Sequence, residues 1–278
     1  MHGRTARSTT QIFGVILVFG LVSVAYVCSP TGPARARITG TPTLLVSIPA
    51  GRPEPLGIPS GRRLRFSDDF NGARLATRRW QPGWFGSQIT PPVNAFEQGC
   101  YDRSEVRVSG GALDLSTIAR PCVVNGRRYR YRSGIVTTRR SFTFTYGVVQ
   151  ARIYLPGSGR TIYNWPAFWA DGTGIWPRTG ENDVMEGLAG SAAFHFLSGS
   201  GSPGGAAPGR FTGWHTYAAD WQPGMVTYYY DGARVGQITT GITASPMFII
   251  LDYAVSRTMG GPTRVGSTMK VDYVRVWQ

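Results

Sequence analysis

From Arg63 to the C-terminus, apolar and polar side chains alternate with a period of two in short runs bounded by Gly, Pro, Asn and Asp. This is the pattern of half-buried β-strands. In YGVVQARIYLP, Val149, Ala151, Ile153 and Leu155 fall on one face, while Gln150, Arg152 and Tyr154 fall on the other. In MVTYYYDGARVGQI, Asp231-Gly232 separates two alternating runs and predicts a hairpin with a two-residue turn. Gly110-Gly111 precedes a run through Ala112, Leu113 and Leu115, and MKVDYVRVWQ reads as a last strand. No stretch of about 12 residues or more carries a helical period. Strands spaced about 8 to 15 residues apart predict an all-β fold, two antiparallel sheets packed as a sandwich in a single domain over 63–278.

The pattern before Arg63 is different. Arg4 and Arg7 precede an uncharged, mostly apolar run from Ile12 to Cys28. Residues 1–28 are therefore expected to be an export signal or a short membrane anchor. Tyr26 and Val27 are too large to precede a lipoprotein cysteine. Residues 29–62, rich in Pro and Gly, predict a tether. The protein is expected to be secreted or held at the envelope, touching a membrane only through the N-terminal segment, and to act as a monomer. In an oxidising compartment Cys100 and Cys122 form an even pair, which predicts a disulfide, with two buried thiols as the alternative.

Hydrophobic residues make up 42% of the chain and aromatics 12%, enough for a packed core and too much for a disordered chain. Three histidines are too few for His-rich catalytic metal centres. The 29 cations, of which only Lys270 is a lysine, outnumber 15 acids and leave a net charge of +14. Arg120, Arg127, Arg128, Arg130, Arg132, Arg139 and Arg140 fall in one stretch with Tyr129 and Tyr131, as in a groove for a polyanion. An exported domain has little access to nucleic acid, and no nucleic-acid partner is expected. A solvated Arg face, or attraction to an acidic or sulfated glycan or an anionic envelope, accounts for the run.

The scarce acids are more informative. Of five glutamates, two lie in the hexapeptide Glu181-Asn182-Asp183-Val184-Met185-Glu186. On a regular strand Glu181 and Asp183 share a face and Glu186 opposes them. A β-bulge across Val184 and Met185 returns Glu186 to the same side. Like charges then raise the proton affinity of at least one member, giving the carboxylate and carboxylic acid that glycosidic cleavage requires. A solvated acidic strand or a calcium site is the alternative. Trp165, Trp169, Trp176 and His195 flank the hexapeptide, and indole faces beside carboxylates suit the C–H faces of sugar rings.

The segments FSDDFNG, YGVVQARIYLP, WPAFW, WPRTGENDVMEG, GWHTYAADW, YYYDG and MKVDYVRVW resemble glycoside hydrolase family 16 across nearly all of 66–278. The resemblance implies a curved β-sandwich of jelly-roll type. It implies Glu181 as nucleophile, Glu186 as general acid/base, Asp183 holding the nucleophile, and Trp165, Trp169, Trp176, His195 and Asn94 contacting substrate. The step from Glu181 to Glu186 is that of the bulged, laminarinase-like subgroup. The implied activity is retaining, endo-acting hydrolysis of a β-linked polysaccharide, foremost 1,3-β-glucan. A galactan or mixed-linkage glucan, transglycosylation, or a carbohydrate-binding wall protein without turnover are the alternatives. No cofactor is expected for catalysis, and Asp272 matches a position that helps bind a structural calcium, or is an ordinary strand-end acid. The chain departs from the family pattern in having Asn182 for an aliphatic residue, Gln150 for Glu, Asp252 for Asn and Ile135 for Arg. The last three bear on substrate identity rather than on the reaction.

Overall fold

A computed structural model describes residues 53–278, Ser87 apart. The expected export segment and residues 29–52 of the expected tether lie outside the described residues. Among the described residues no helix is long and apolar enough to cross a membrane, and the one helical element is the 3-10 turn Arg103–Glu105.

Two sheets form the body. The seven-stranded sheet runs in the order Gly204–Ala206, Ser191–Leu197, Glu181–Leu188, Trp165–Gly172, Met247–Ala254, Ile135–Thr137 and Gln81–Pro82. The eleven-stranded sheet is built around Gly213–Gln222, Gly147–Leu155 and Thr268–Trp277. Alternation decides the layering: Phe168, Ala170, Val184, Phe194, Phe196, Ile249, Leu251 and Tyr253 of the first sheet meet Val149, Ala151, Ile153, Tyr217 and Val274 of the second in one core. The Asp231-Gly232 turn joins Met225–Tyr230 to Ala233–Ile238 with φ of 49° and 78°, the left-handed pair that a tight hairpin needs. Among the described residues the expected antiparallel pairing has one exception, Gly99–Asp102, which runs parallel to Tyr131–Ser133.

Two expectations change. Residues 53–62 are not a free tether. Ile58 is buried against Trp277, Val148 and Ala218, Trp277 Nε1 donates to the Pro53 carbonyl at 2.6 Å, and Arg62 pairs with Asp220 at 2.9 Å. Gln150 does not bear on substrate either. Its Oε1 accepts from the Leu56 N–H at 3.3 Å and from the Tyr273 hydroxyl at 3.0 Å, and its Nε2 donates to the Leu56 carbonyl at 3.5 Å. An amide can both accept and donate there, whereas a carboxylate can only accept.

The Cys100–Cys122 disulfide is formed and closes a separation of 22 residues. It ties Gly99–Asp102 to the Cys122–Val124 and Arg127–Tyr129 hairpin. Replacing both cysteines by alanine should lower the unfolding free energy by about 3 kcal/mol, chiefly through the unfolded state. Guanidinium titration checks this, and a loss under about 1 kcal/mol would show that side-chain packing alone holds the hairpin.

Candidate active site

Glu181–Leu188 lies between Trp165–Gly172 and Ser191–Leu197. Asp183 is paired with His195 and Glu186 with Ala193, so three steps on this strand match two on its neighbour. The other neighbour agrees, with Trp169 opposite Asp183 and Ala167 opposite Glu186. The extra residue is the expected bulge, and it puts Glu181, Asp183 and Glu186 on the side facing away from the core. The other sheet supports it from below. The Tyr230 hydroxyl lies 3.0 Å from the Val184 carbonyl and 2.9 Å from that of Ala193. Tyr228 Oη lies 2.9 Å from the side chain of Asn182 and 2.8 Å from the His195 carbonyl. One hydroxyl proton cannot serve both acceptors; with the amide turned over, Asn182 Nδ2, otherwise buried without a partner, donates to the tyrosine oxygen. Asn182 thus points into the core, away from the acidic row, as expected.

The three acids line a cavity of about 700 Å³ together with Trp165, Trp169, Trp176, His195 and Asn94. Each expected contact residue is present. Trp176 Nε1 donates to Glu181 Oε2 at 2.7 Å, and Trp165 Nε1 donates to Glu186 Oε1 at 3.1 Å. His195 Nδ1 lies 3.1 Å from Glu186 Oε2. Its ring packs on Gly204, where a Cβ would collide with it. Gly180, at φ 85°, turns the chain from the Trp176 loop into the strand. Asn94 Nδ2 donates to Glu97 Oε1 at 3.3 Å.

Burial pushes the Glu181 carboxyl up to about 7, opposed by the Trp176 N–H and reinforced by Asp171, Glu186 and Asp252. Asp183 is held well above its usual range by burial and then by Glu186 and Glu181. The row therefore carries protons at neutral pH, as a coupled set.

Three further acids line the cavity: Asp252, expected to bear on substrate identity, Glu97, beside Asn94 in the segment expected to contact substrate, and Asp171, for which no role was expected. Asp252 accepts from Trp169 Nε1 at 2.8 Å and from the Tyr101 hydroxyl at 3.1 Å, and burial lifts it to about 7. Glu97 is lifted to about 8 by burial, then by Asp252. Asp171, in register with Glu181, is lifted to about 6 by burial. The available signal was an acid inside an apolar run, in MFIILDYAV for Asp252 and WPAFWADG for Asp171. Trp84 and Phe85, from an irregular loop, add to the aromatic lining, as do Phe96 and Phe248.

Oxygen and nitrogen atoms of Asp183, Glu186 and His195 lie within 4.8 Å of one another. One donor is an imidazole, so the set does not suit calcium, which takes six to eight oxygens. Asp272, the acid expected to help bind a structural calcium or to be an ordinary strand-end acid, has its Oδ2 2.9 Å from the Arg152 guanidinium.

Residues 99–275 match the family model "Glycosyl hydrolases family 16". The chain belongs to glycosyl hydrolase family 16. Family 16 relatives include an endo-1,3-1,4-beta-glycanase of Rhizobium meliloti, 30% identical over 76% of this chain and 51% of that protein. A beta-glucanase of Rhodothermus marinus is 28% identical over 64% of this chain and 73% of its own length. The chain thus spans about half the length of the Rhizobium relative. The endo-beta-1,3-glucanase structure from Pyrococcus furiosus superposes with a TM-score of 0.67 at 25% identity, covering 78% of this chain and 94% of that one. The jelly-roll sandwich implied by family 16 is the fold observed.

Glu97 binds its proton more tightly folded, at about 8, than unfolded, at the ordinary 4.5. Its contribution is complete below pH 4.5 and is lost as pH rises through about 8. The unfolding free energy should fall across that window by on the order of a few kcal/mol, with Asp252 acting in the same direction. Glu97→Gln should flatten the decline in denaturant titrations; an unchanged slope would exclude Glu97 as its source.

Proposed function

We propose that this family 16 chain is a retaining, endo-acting hydrolase of a β-linked glucan, with 1,3-β-glucan the favoured substrate, working outside the cytoplasm after export through its N-terminal segment. The observation that carries the reading is the pair of glutamates on one side of one strand, each accepting an indole N–H, with an imidazole on the second oxygen of Glu186 alone. Glu181 Oε2 faces an indole N–H, which can only donate and favours the ionised form. Glu186 Oε2 faces His195 Nδ1, which in one neutral tautomer accepts a proton from a carboxylic acid.

Glu181 then attacks the anomeric carbon as Glu186 passes its proton to the departing glycosidic oxygen, forming a glycosyl ester and freeing the chain beyond the bond. Glu186, now ionised, takes a proton from water. The water oxygen attacks the same carbon and Glu181 leaves as a carboxylate. Two inversions return the original anomer. Asp183, buried between the pair and raised by both, lies close enough to Glu186 for its proton affinity to follow the charge of the row. Names of relatives support the substrate class: a glucan endo-1,3-beta-glucosidase of Niallia circulans is 27% identical over 79% of this chain.

Glu181→Gln and Glu186→Gln should each lower kcat/KM on laminarin by at least about a thousandfold with the fold intact. NMR of early products should show the β-anomer first, and a first-formed α-anomer would exclude retention. Trp176→Phe removes the donor that holds Glu181 ionised, so the acid limb of the pH–rate profile should move to higher pH, with kcat/KM down about tenfold.

A further inference from the structure

Glu97, Asp171, Glu181, Asp183, Glu186 and Asp252 all line the cavity, and the reaction proposed above uses three of them. Glu97 and Asp252 form a separate wall with Tyr101 behind it. Asp252 is in register with Ala167, which is in register with Glu186. One strand lies between the two acids, so their backbones are about 10 Å apart across the sheet. That places Asp252 beside a sugar ring neighbouring the one under attack.

The wall lacks counter-charge. Asp252 Oδ1 takes the Trp169 indole N–H at 2.8 Å and Oδ2 takes the Tyr101 hydroxyl at 3.1 Å. The Tyr101 hydroxyl also faces Glu97 and lowers its proton affinity, but a phenol has one proton for these two carboxyl groups. The register partner of Asp252 on Ile135–Thr137 is Ile135 itself, the position of the missing arginine. Arg139, the arginine among the lining residues, has its guanidinium 3.9 Å from the Phe85 ring centroid. Arg120, Arg127, Arg128 and Arg130 do not line the cavity.

We propose that Asp252, with Glu97 beside it, is the specificity-determining wall of the cavity, admitting uncharged sugar rings and excluding rings that carry carboxylate or sulfate. This rests on the hydrolase reading and narrows it. An anionic substituent against this wall meets the charge of ionised Asp252, which accepts from neutral donors alone, while Arg139 acts on Asp171 and stands on the Phe85 ring. Asparagine at 252 keeps an acceptor for Trp169 and offers a donor in place of the charge.

The test digests 1,3-β-glucan carrying carboxymethyl groups beside the same glucan carrying hydroxyethyl groups at equal substitution, which matches bulk without charge. At pH 8.5, above the values of about 7 for Asp252 and about 8 for Glu97, the full chain should show kcat/KM at least about tenfold higher on the hydroxyethyl polymer. Mass spectrometry of the products should find hydroxyethyl rings, but not carboxymethyl rings, beside the cleaved bond. Asp252→Asn should narrow the ratio at least threefold, mainly through KM, and let carboxymethyl rings in; Glu97→Gln should act in the same direction. An unchanged ratio in both variants, or carboxymethyl rings beside the cleaved bond in the parent, overturns the proposal and leaves the hydrolase reading standing. No cleavage of the hydroxyethyl polymer by the parent overturns both.

Discussion

One inserted residue in one strand governs the chemistry of this protein. Between Asp183 and Glu186 the Glu181–Leu188 strand takes three steps where both neighbours take two, so three acids share a side that a regular strand would divide. Such convergence is electrostatically unfavourable and leaves ladder groups without their usual partners. Tyr230 and Tyr228, from the opposite sheet, supply hydroxyls to the Val184, Ala193 and His195 carbonyls around the bulge. The core face of the sandwich therefore holds in place what the cavity face uses.

The distribution of charge follows from the same geometry. A chain with a net charge of +14 has only 15 acids, and six of them line one cavity. Burial raises the proton affinity of Glu97, Asp171, Glu181, Asp183 and Asp252, and mutual repulsion adds to it at all but Asp171. The cavity is thus a store of protons within a cationic exterior. Its aromatic walls help to bury these groups and suit the faces of sugar rings.

Much of this was legible along the chain. The period-two runs locate the long strands, because in a sandwich each strand has one face on the core. Asp231-Gly232 locates a hairpin, because few residue pairs adopt the left-handed turn. The bulge follows from the spacing of Glu181, Asp183 and Glu186 once all three are required on one side. Gln150 was tied to substrate identity by the family pattern; the strand pattern sets it opposite Val149 and Ala151 but does not report that Leu56 and Tyr273 meet it there. The short strand Gly99–Asp102 and the irregular loop around Trp84 carry too little periodicity to be assigned.

By itself, then, the amino-acid sequence determined the class of fold, the position of the acidic row and the residues that flank it, since each is written in local spacing. Tertiary structure alone decided that Asp252, Glu97 and Tyr101, from three distant segments, meet on one wall, and that Pro53 to Arg62 belong to the folded body. Register between strands, not order along them, sets which acids become neighbours. Burial, not composition, sets which of them hold a proton.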